Sequence, residues 1–393
     1  MLKRWVTYLE GDRTIWMLAL IFTLISIVTV YSFIPILITQ HGGDGSTEFY
    51  LIKHAIILFS GFGLMYLSHK ANFRFYARIA KALLWISAGL LVLTMFYGAS
   101  INQAERWLEI PIINQRFQTS DIAKLALVIY LARTLVIVKD KMHDFKEGIW
   151  PLLWPILLIC GLILPQDFST AAMLFGISMI ILYMGQVPLK WLFAGLGSIV
   201  VMFLLMLALS KSIPGLLPRV DTWVARWEQY SDGESEEATQ LRNAELAIVS
   251  GGAIGKGPGK GVFKYALSQA YADFYFASFV EEYGLAGAII LISLFLVLFY
   301  RFLRIAVKCE SPFGTYVVLG IGTALMVQAL INMAVPTGLV PVTGQNMPML
   351  GLGGTSIWFT CLSFGIILSV SRGTIRNVST NNVKKEHAQR QAA

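Results

Sequence analysis

Apolar and polar positions along this chain come in blocks and do not alternate. Runs of about 17–25 mainly apolar residues recur from end to end, the length that takes an α-helix across a bilayer core. Ten runs are read, at 14–38, 50–68, 79–98, 121–138, 150–165, 169–184, 188–209, 275–300, 313–335 and 352–370. Lipid offers an open backbone no hydrogen-bond partner, so each run predicts a helix. A membrane β-barrel would show alternating ten-residue strands, and none is read. The expected fold class is an all-α polytopic membrane protein with about ten transmembrane helices.

Composition supports this: 56% of residues are hydrophobic and 14% charged. Charge then orients the chain. An even number of spans leaves both termini on one side, and 20 of the 31 Lys and Arg residues fall there. Basic excess marks the cytoplasmic face, so both termini are expected inside. The net charge of +8 has the same origin. No basic stripe interleaved with aromatics points to nucleic acid. One transmembrane domain is expected over 1–371. A basic tail, 372–393, follows it and either lacks fixed structure or lies on anionic headgroups.

Cys160, Cys309 and Cys361 lie in or beside spans without CxxC spacing, and the five His residues are scattered. Neither a disulfide framework nor a zinc site is indicated. Residues 1–13 carry no cleavable-signal pattern, so the first span is expected to stay as an anchor.

Two outer connections are long. One is 99–120; the other, about 210–272, is polar. The second holds Val220–Tyr230, where Trp223 and Trp227 share a helical face. That face suits a surface helix in the lipid interface or an aromatic-belt anchor. The run Asp232–Glu237 reads as a solvated turn.

Candidate chemistry gathers at outer ends. Asp273 stands where the polar segment meets the span starting at 275, and a carboxylate there must be solvated, paired or functional. Glu281 and Glu282 follow about two turns deeper and point about 100° apart; a buried, paired Glu is the default. The glycine-dense 250–261 matches no phosphate-loop motif and reads as a flexible outer loop or an anion nest. Asp121 and Lys124 share a helix face as a structural pair or as substrate contacts. Asp167 caps the following helix or lines a polar cavity. The Pro- and Gly-rich 336–356 cannot be regular helix; irregular backbone at membrane depth is tolerated where it is buried or lines a cavity.

In order, these segments resemble the SEDS family (shape, elongation, division and sporulation), with its FtsW and RodA types. The resemblance runs over nearly the whole chain. It rests on Arg106-Trp107, on Phe117-Gln118-Thr119-Ser120-Asp121 with Lys124, on Pro165-Gln166-Asp167-Phe168-Ser169-Thr170-Ala171, and on Gly251–Gly257, Ala272–Gly284 and Pro341–Ser356. It implies a peptidoglycan glycosyltransferase that polymerises lipid II, with a polyprenyl diphosphate leaving, at the outer face of the bacterial cytoplasmic membrane. Asp273 matches the family's essential Asp, the base for the acceptor hydroxyl. Trp107, Asp121, Lys124, Asp167, Lys256, Thr343, Gly344 and Ser356 fall at substrate-binding positions. Positive charge for the leaving diphosphate would come from Lys or Arg, backbone N–H groups or a divalent cation such as magnesium or manganese.

The implied partners are a class B penicillin-binding protein, which supplies transpeptidation, and other divisome membrane proteins. The Gly-Lys-Gly-Pro-Gly-Lys stretch favours the FtsW division type over the RodA elongation type. Departures are Asp121 where the family usually has Glu, Thr119 for its Pro, Tyr271-Ala272 for His-Thr and Gly351-Leu352 for Ser-Tyr. The readings from other classes are a lipid II flippase and a non-catalytic scaffold. A flippase needs polar groups through the bilayer depth, whereas these cluster at outer ends.

Overall fold

The computed structural model describes residues 10–40, 46–97, 99–101, 104–110, 115–197, 204, 236–352 and 354–392. Its helices are α1 (Arg13–Gln40), α2 (Thr47–Lys70), α3 (Phe73–Tyr97), α4 (Thr119–Ile137), α5 (Trp150–Ile163), α6 (Phe168–Met184), α7 (Glu236–Gly251), α8 (Tyr275–Lys308), α9 (Pro312–Ala334) and α10 (Gly354–Ala392). Nine of these fall on the apolar runs; α7 lies in the long polar connection. Start signals are local. Ser46 caps α2 by accepting from the Phe49 N–H at 3.2 Å, and Pro312 opens α9, where a missing N–H costs nothing.

Among the described residues, seven helices are long and apolar enough to cross a membrane. α6, with 17 residues, is apolar but shorter, and α4 carries Asp121, Lys124 and Arg133 within 19 residues. The tenth expected run, 188–209, is described only as a helical start over 189–197 and at residue 204. Val220–Tyr230 and most of Asp232–Glu237 lie outside the described residues; the acidic run ends in the first turn of α7.

Three boundaries differ from expectation. The outer connection from 99, for which no secondary structure is expected, is extended where described up to Gln118. It forms a three-stranded antiparallel sheet, β1 (Ala99–Ile101), β2 (Ala104–Ile110) and β3 (Gln115–Gln118), so the fold is not strictly all-α. Strand pairing satisfies backbone groups that no helix includes there. α8 runs eight residues past its apolar stretch, because its last turns carry Arg301, Arg304 and Lys308 beyond the apolar slab. Arg301 is anchored by a fork on Asp12, with Nη2 and Nε at 2.5 and 3.1 Å from Oδ2. α10 continues as helix through the basic tail to Ala392.

α4 is central, and Ala123, Leu127, Leu131 and Leu135 on it are fully buried. It packs on α3, α5, α6, α9 and α10. α10 lies against α2 at backbone distance: a Cβ on Gly365 would sit 2.5 Å from the Met65 carbonyl oxygen. Small residues permit such close helix contact in lipid.

Candidate active site

α8 is broken at Gly284, whose φ of 68° and ψ of −170° lie outside helix. In an unbroken helix, the carbonyls of Glu281 and Glu282 would accept from the N–H groups of Leu285 and Ala286. Here the 252–257 segment inserts between these two pairs. The Lys256 and Gly257 N–H groups donate to the freed carbonyls, at 3.0 and 2.9 Å. The Gly252 and Ala253 carbonyls accept from the freed N–H groups, at 2.9 and 3.1 Å. The glycine-dense stretch is thus tied to α8 over 252–257 rather than loose, and the Lys256 and Gly257 N–H groups, committed to α8, are not part of an anion nest.

The two glutamates diverge as adjacent helical residues must. Glu281 Oε1 accepts from Lys256 Nζ and the Val262 N–H, both at 2.7 Å. Glu282 Oε1 accepts from Lys264 Nζ at 2.8 Å and from the Ser32 hydroxyl of α1. Lys264 and Glu282 are 1% and 3% exposed. Both glutamates are structural, as expected, and Lys256 is tied to Glu281 and lies over the Phe263 ring. Lys264 has no counterpart among the sequence candidates.

Beyond this knot the chain turns through Tyr271–Phe274 into α8, and Asp273 sits half-buried in the turn. Asn332 of α9, fully buried, holds the turn: its amide donates to the carbonyls of Ala272 at 2.9 Å and Asp273 at 3.4 Å. The same amide donates to the Gln345 carbonyl at 2.7 Å. Gln345 lies in the irregular segment after α9, which is buried at Gln345, Met347, Met349 and Leu350 and so meets the condition for irregular backbone at membrane depth. Its side-chain amide donates to Thr170 Oγ1 at 2.5 Å, and that hydroxyl donates to Asp167 Oδ2 at 2.6 Å. Asp167 also caps α6, accepting from the Thr170 N–H at 3.0 Å. Its capping and network roles therefore coincide, and one chain of hydrogen bonds joins the Asp167 and Asp273 segments.

Asp121 opens α4 and pairs with Lys124 at 2.7 Å; both are largely buried. Asp121 Oδ2 has no hydrogen-bond partner among the described residues. With Ser356 and Gln328 the pair lines the polar part of a small cleft of about 50 Å³, continued by Leu125, Val128, Met173, Ile177, Ile321 and Leu325. The start of α10 meets the start of α4, where the Gln118 N–H donates to Thr355 Oγ1 at 3.4 Å.

Trp107 lies in β2, with its backbone paired opposite Ala99 and Gln118. Thr343 and Gly344 lie in the irregular segment; the Thr343 hydroxyl is buried without a hydrogen-bond partner among the described residues, and Gly344 has φ of 69°. The structure thus brings Asp121, Lys124 and Ser356 to one cleft, and joins Asp167 to the Asp273 turn. Lys256 stands apart, in the knot. The Tyr271-Ala272 and Gly351-Leu352 positions meet directly: the Leu352 N–H donates to the Tyr271 carbonyl at 3.3 Å.

Asn332 and Gln328 are absent from the sequence candidates. Their signal is an amide pair four residues apart in an apolar helix, where uncompensated polar groups are expensive. Among the described residues, no group of three or more His, Cys, Asp or Glu side chains could hold a metal ion, so no chemistry is assigned to a protein-bound cation.

The family model FtsW/RodA/SpoVE, described as "Cell cycle protein", matches residues 12–375. The chain is 30% identical over 366 residues to a Geobacter sulfurreducens protein named "Probable peptidoglycan glycosyltransferase FtsW", covering 92% of this chain and 95% of the relative. It is 33% identical over 358 residues to a protein of the same name from Aromatoleum aromaticum, covering 88% and 84%. Among solved structures, it matches with TM-score 0.73 and 23% identity a chain described under "Structural coordination of polymerization and crosslinking by a peptidoglycan synthase complex". That match covers 93% of this chain and 98% of the other. It also matches the rod shape determining protein RodA of Thermus thermophilus, with TM-score 0.66 and 21% identity over 93% of this chain and 98% of RodA. These two structural likenesses establish a shared fold.

Proposed function

The chain belongs to the FtsW/RodA/SpoVE family, the SEDS proteins, and from that premise we propose that it polymerises lipid II into glycan strands. The reaction takes place at the outer face of the bacterial cytoplasmic membrane, on ten spans with both termini inside. The observation that carries the reading is the setting of Asp273. It is a half-buried carboxylate in a turn held by the buried Asn332 amide, at the end of the bundle where Asp167 and the 338–352 segment converge.

In the reaction, the acceptor sugar hydroxyl gives its proton to the Asp273 carboxylate as its oxygen attacks the anomeric carbon of the donor. The bond from that carbon to the diphosphate oxygen breaks, and the diphosphate keeps the electron pair. Water then takes the proton from Asp273. The cleft under Lys124 and Ser356 suits a lipid-borne diphosphate, with cationic and hydroxyl groups at its polar end and apolar walls along its length. A flippase would need a polar path onward through the bilayer; below Lys124, α4 buries Leu127, Leu131 and Leu135.

The FtsW names of the relatives support septal synthesis over elongation. The likeness to a synthase complex that couples polymerisation and crosslinking supports a class B penicillin-binding protein as partner.

Asp273→Ala tests the proposal. The full chain is purified with its transpeptidase partner, given lipid II, and its products are resolved on gels. Wild type is expected to make glycan chains and the variant none, at equal folded fraction. Undiminished polymer from the variant, with a partner that makes none alone, would overturn the role of Asp273.

A further inference from the structure

We propose that Asn332 is a positioning residue for polymerisation, acting through Asp273. The proposal rests on Asp273 being the base, and goes on to name what aims it. The Asn332 amide donates to the Ala272 carbonyl at 2.9 Å and the Asp273 carbonyl at 3.4 Å. These are the two peptide groups that flank the Asp273 Cα. Holding both restricts rotation about that Cα and so sets the direction in which the carboxylate leaves the chain.

The third contact, to the Gln345 carbonyl at 2.7 Å, ties this restraint to the irregular segment. Gln345 passes it to Thr170 and Asp167 at the head of α6. One fully buried side chain on α9 therefore fixes the catalytic turn against two further elements. Ordinary packing does not require this geometry. A buried amide is costly in a membrane helix unless its donors are used, and here they reach three carbonyls from two loops. Asn332 is fully buried and so acts on the reaction through Asp273. Its effect is to keep the Asp273 carboxylate within reach of the acceptor hydroxyl, where displacement by about 1 Å costs up to about a hundredfold in rate.

The test uses the full chain with its transpeptidase partner and measures initial rates against lipid II concentration. Asn332→Ala removes all donors. It is expected to lower kcat per folded molecule about ten- to a hundredfold, while KM for lipid II moves less than about threefold, since substrate contacts lie elsewhere. Asn332→Ser keeps one donor on a shorter stem and is expected to recover part of the loss. It also carries the test if the alanine variant does not purify as a single species. Folded fraction comes from size-exclusion profiles and thermal midpoints. Wild-type kcat per folded molecule in Asn332→Ala, or in Asn332→Ser where the alanine variant does not purify, or a loss expressed wholly in KM, overturns the proposal. Polymer from Asp273→Ala would instead overturn the reading beneath it, so the two failures are distinguishable.

Discussion

Lys264 and Glu282 show how a single pair supports the site without joining its chemistry. The lysine Nζ is held by Glu282, by the hydroxyl and carbonyl of Ser32 on α1, and by the Gly259 carbonyl at 3.2 Å. Buried ions gain little from pairing relative to an apolar pair, but removing one partner leaves the other without compensation. Glu282→Ala is therefore expected to destabilise the protein by about 3–5 kcal/mol. The double variant Lys264→Met, Glu282→Leu should recover most of that loss. Unfolding midpoints in detergent, converted with a common slope, check both; a double variant no better than Glu282→Ala would show that the pair does more than neutralise itself. At this scale the sequence was partly legible. Adjacency alone gave the divergence of Glu281 and Glu282, and burial in an apolar span made both structural. Lys264 was not legible, because nothing local pairs it with Glu282, 18 residues on, and its other side-chain partner, Ser32, lies on α1, some 230 residues earlier in the chain.

The inserted 252–257 segment is a property of elements, since α8 can break only where something replaces its lost hydrogen bonds. Glycine makes the insertion possible at two places. At Gly255, with φ of 90°, a Cβ would sit 2.3 Å from the Glu282 carbonyl oxygen; at Gly284, it would sit 2.4 Å from the Gly255 nitrogen. Gly255→Ala therefore cannot keep the insertion. It should free the segment, loosen the Lys256–Glu281 contact and expose residues 251–262 to protease. Gly259 also has positive φ, 79°, but a Cβ there meets nothing within 4 Å. Gly259→Ala should cost only the backbone term, about 1–2 kcal/mol. Limited proteolysis and thermal midpoints of the two variants are the check; equal behaviour would mean the insertion is not what the glycines serve. The glycine density of 250–261 was plain in the sequence, but its partner was not. A pattern of local glycines signals permissive backbone without saying which helix, some 30 residues on, will receive it.

At the scale of the whole molecule, connectivity decides what span counting leaves open. The hydrogen-bond chain through Asn332, Gln345 and Thr170 places the first turn of α6 at the same end of the bundle as the turn into α8. α6 then runs 17 residues away from that end, about 25 Å at helical rise. The chain must return before Tyr275, and the apolar run 188–209, helical where described over 189–197, is the segment able to do so. Apolar length made the helical elements legible. The α4 and α6 helices are read from the sequence in spite of charge in one and shortness in the other, because both carry unbroken apolar stretches. The sheet at 99–118 was missed because the apolar-block pattern carries no signal for three short strands. The proposed ten crossings with both termini inside would put residue 231 and the tail on opposite faces. Ser231→Cys and Ser379→Cys, each made with Cys309→Ala since Cys160 and Cys361 are buried, report this directly. An impermeant maleimide should label the first in intact spheroplasts, and the second only after the membrane is opened. Labelling of both in intact cells would place an even number of crossings between them and turn the 210–272 segment, with Asp273, to the same side as the tail.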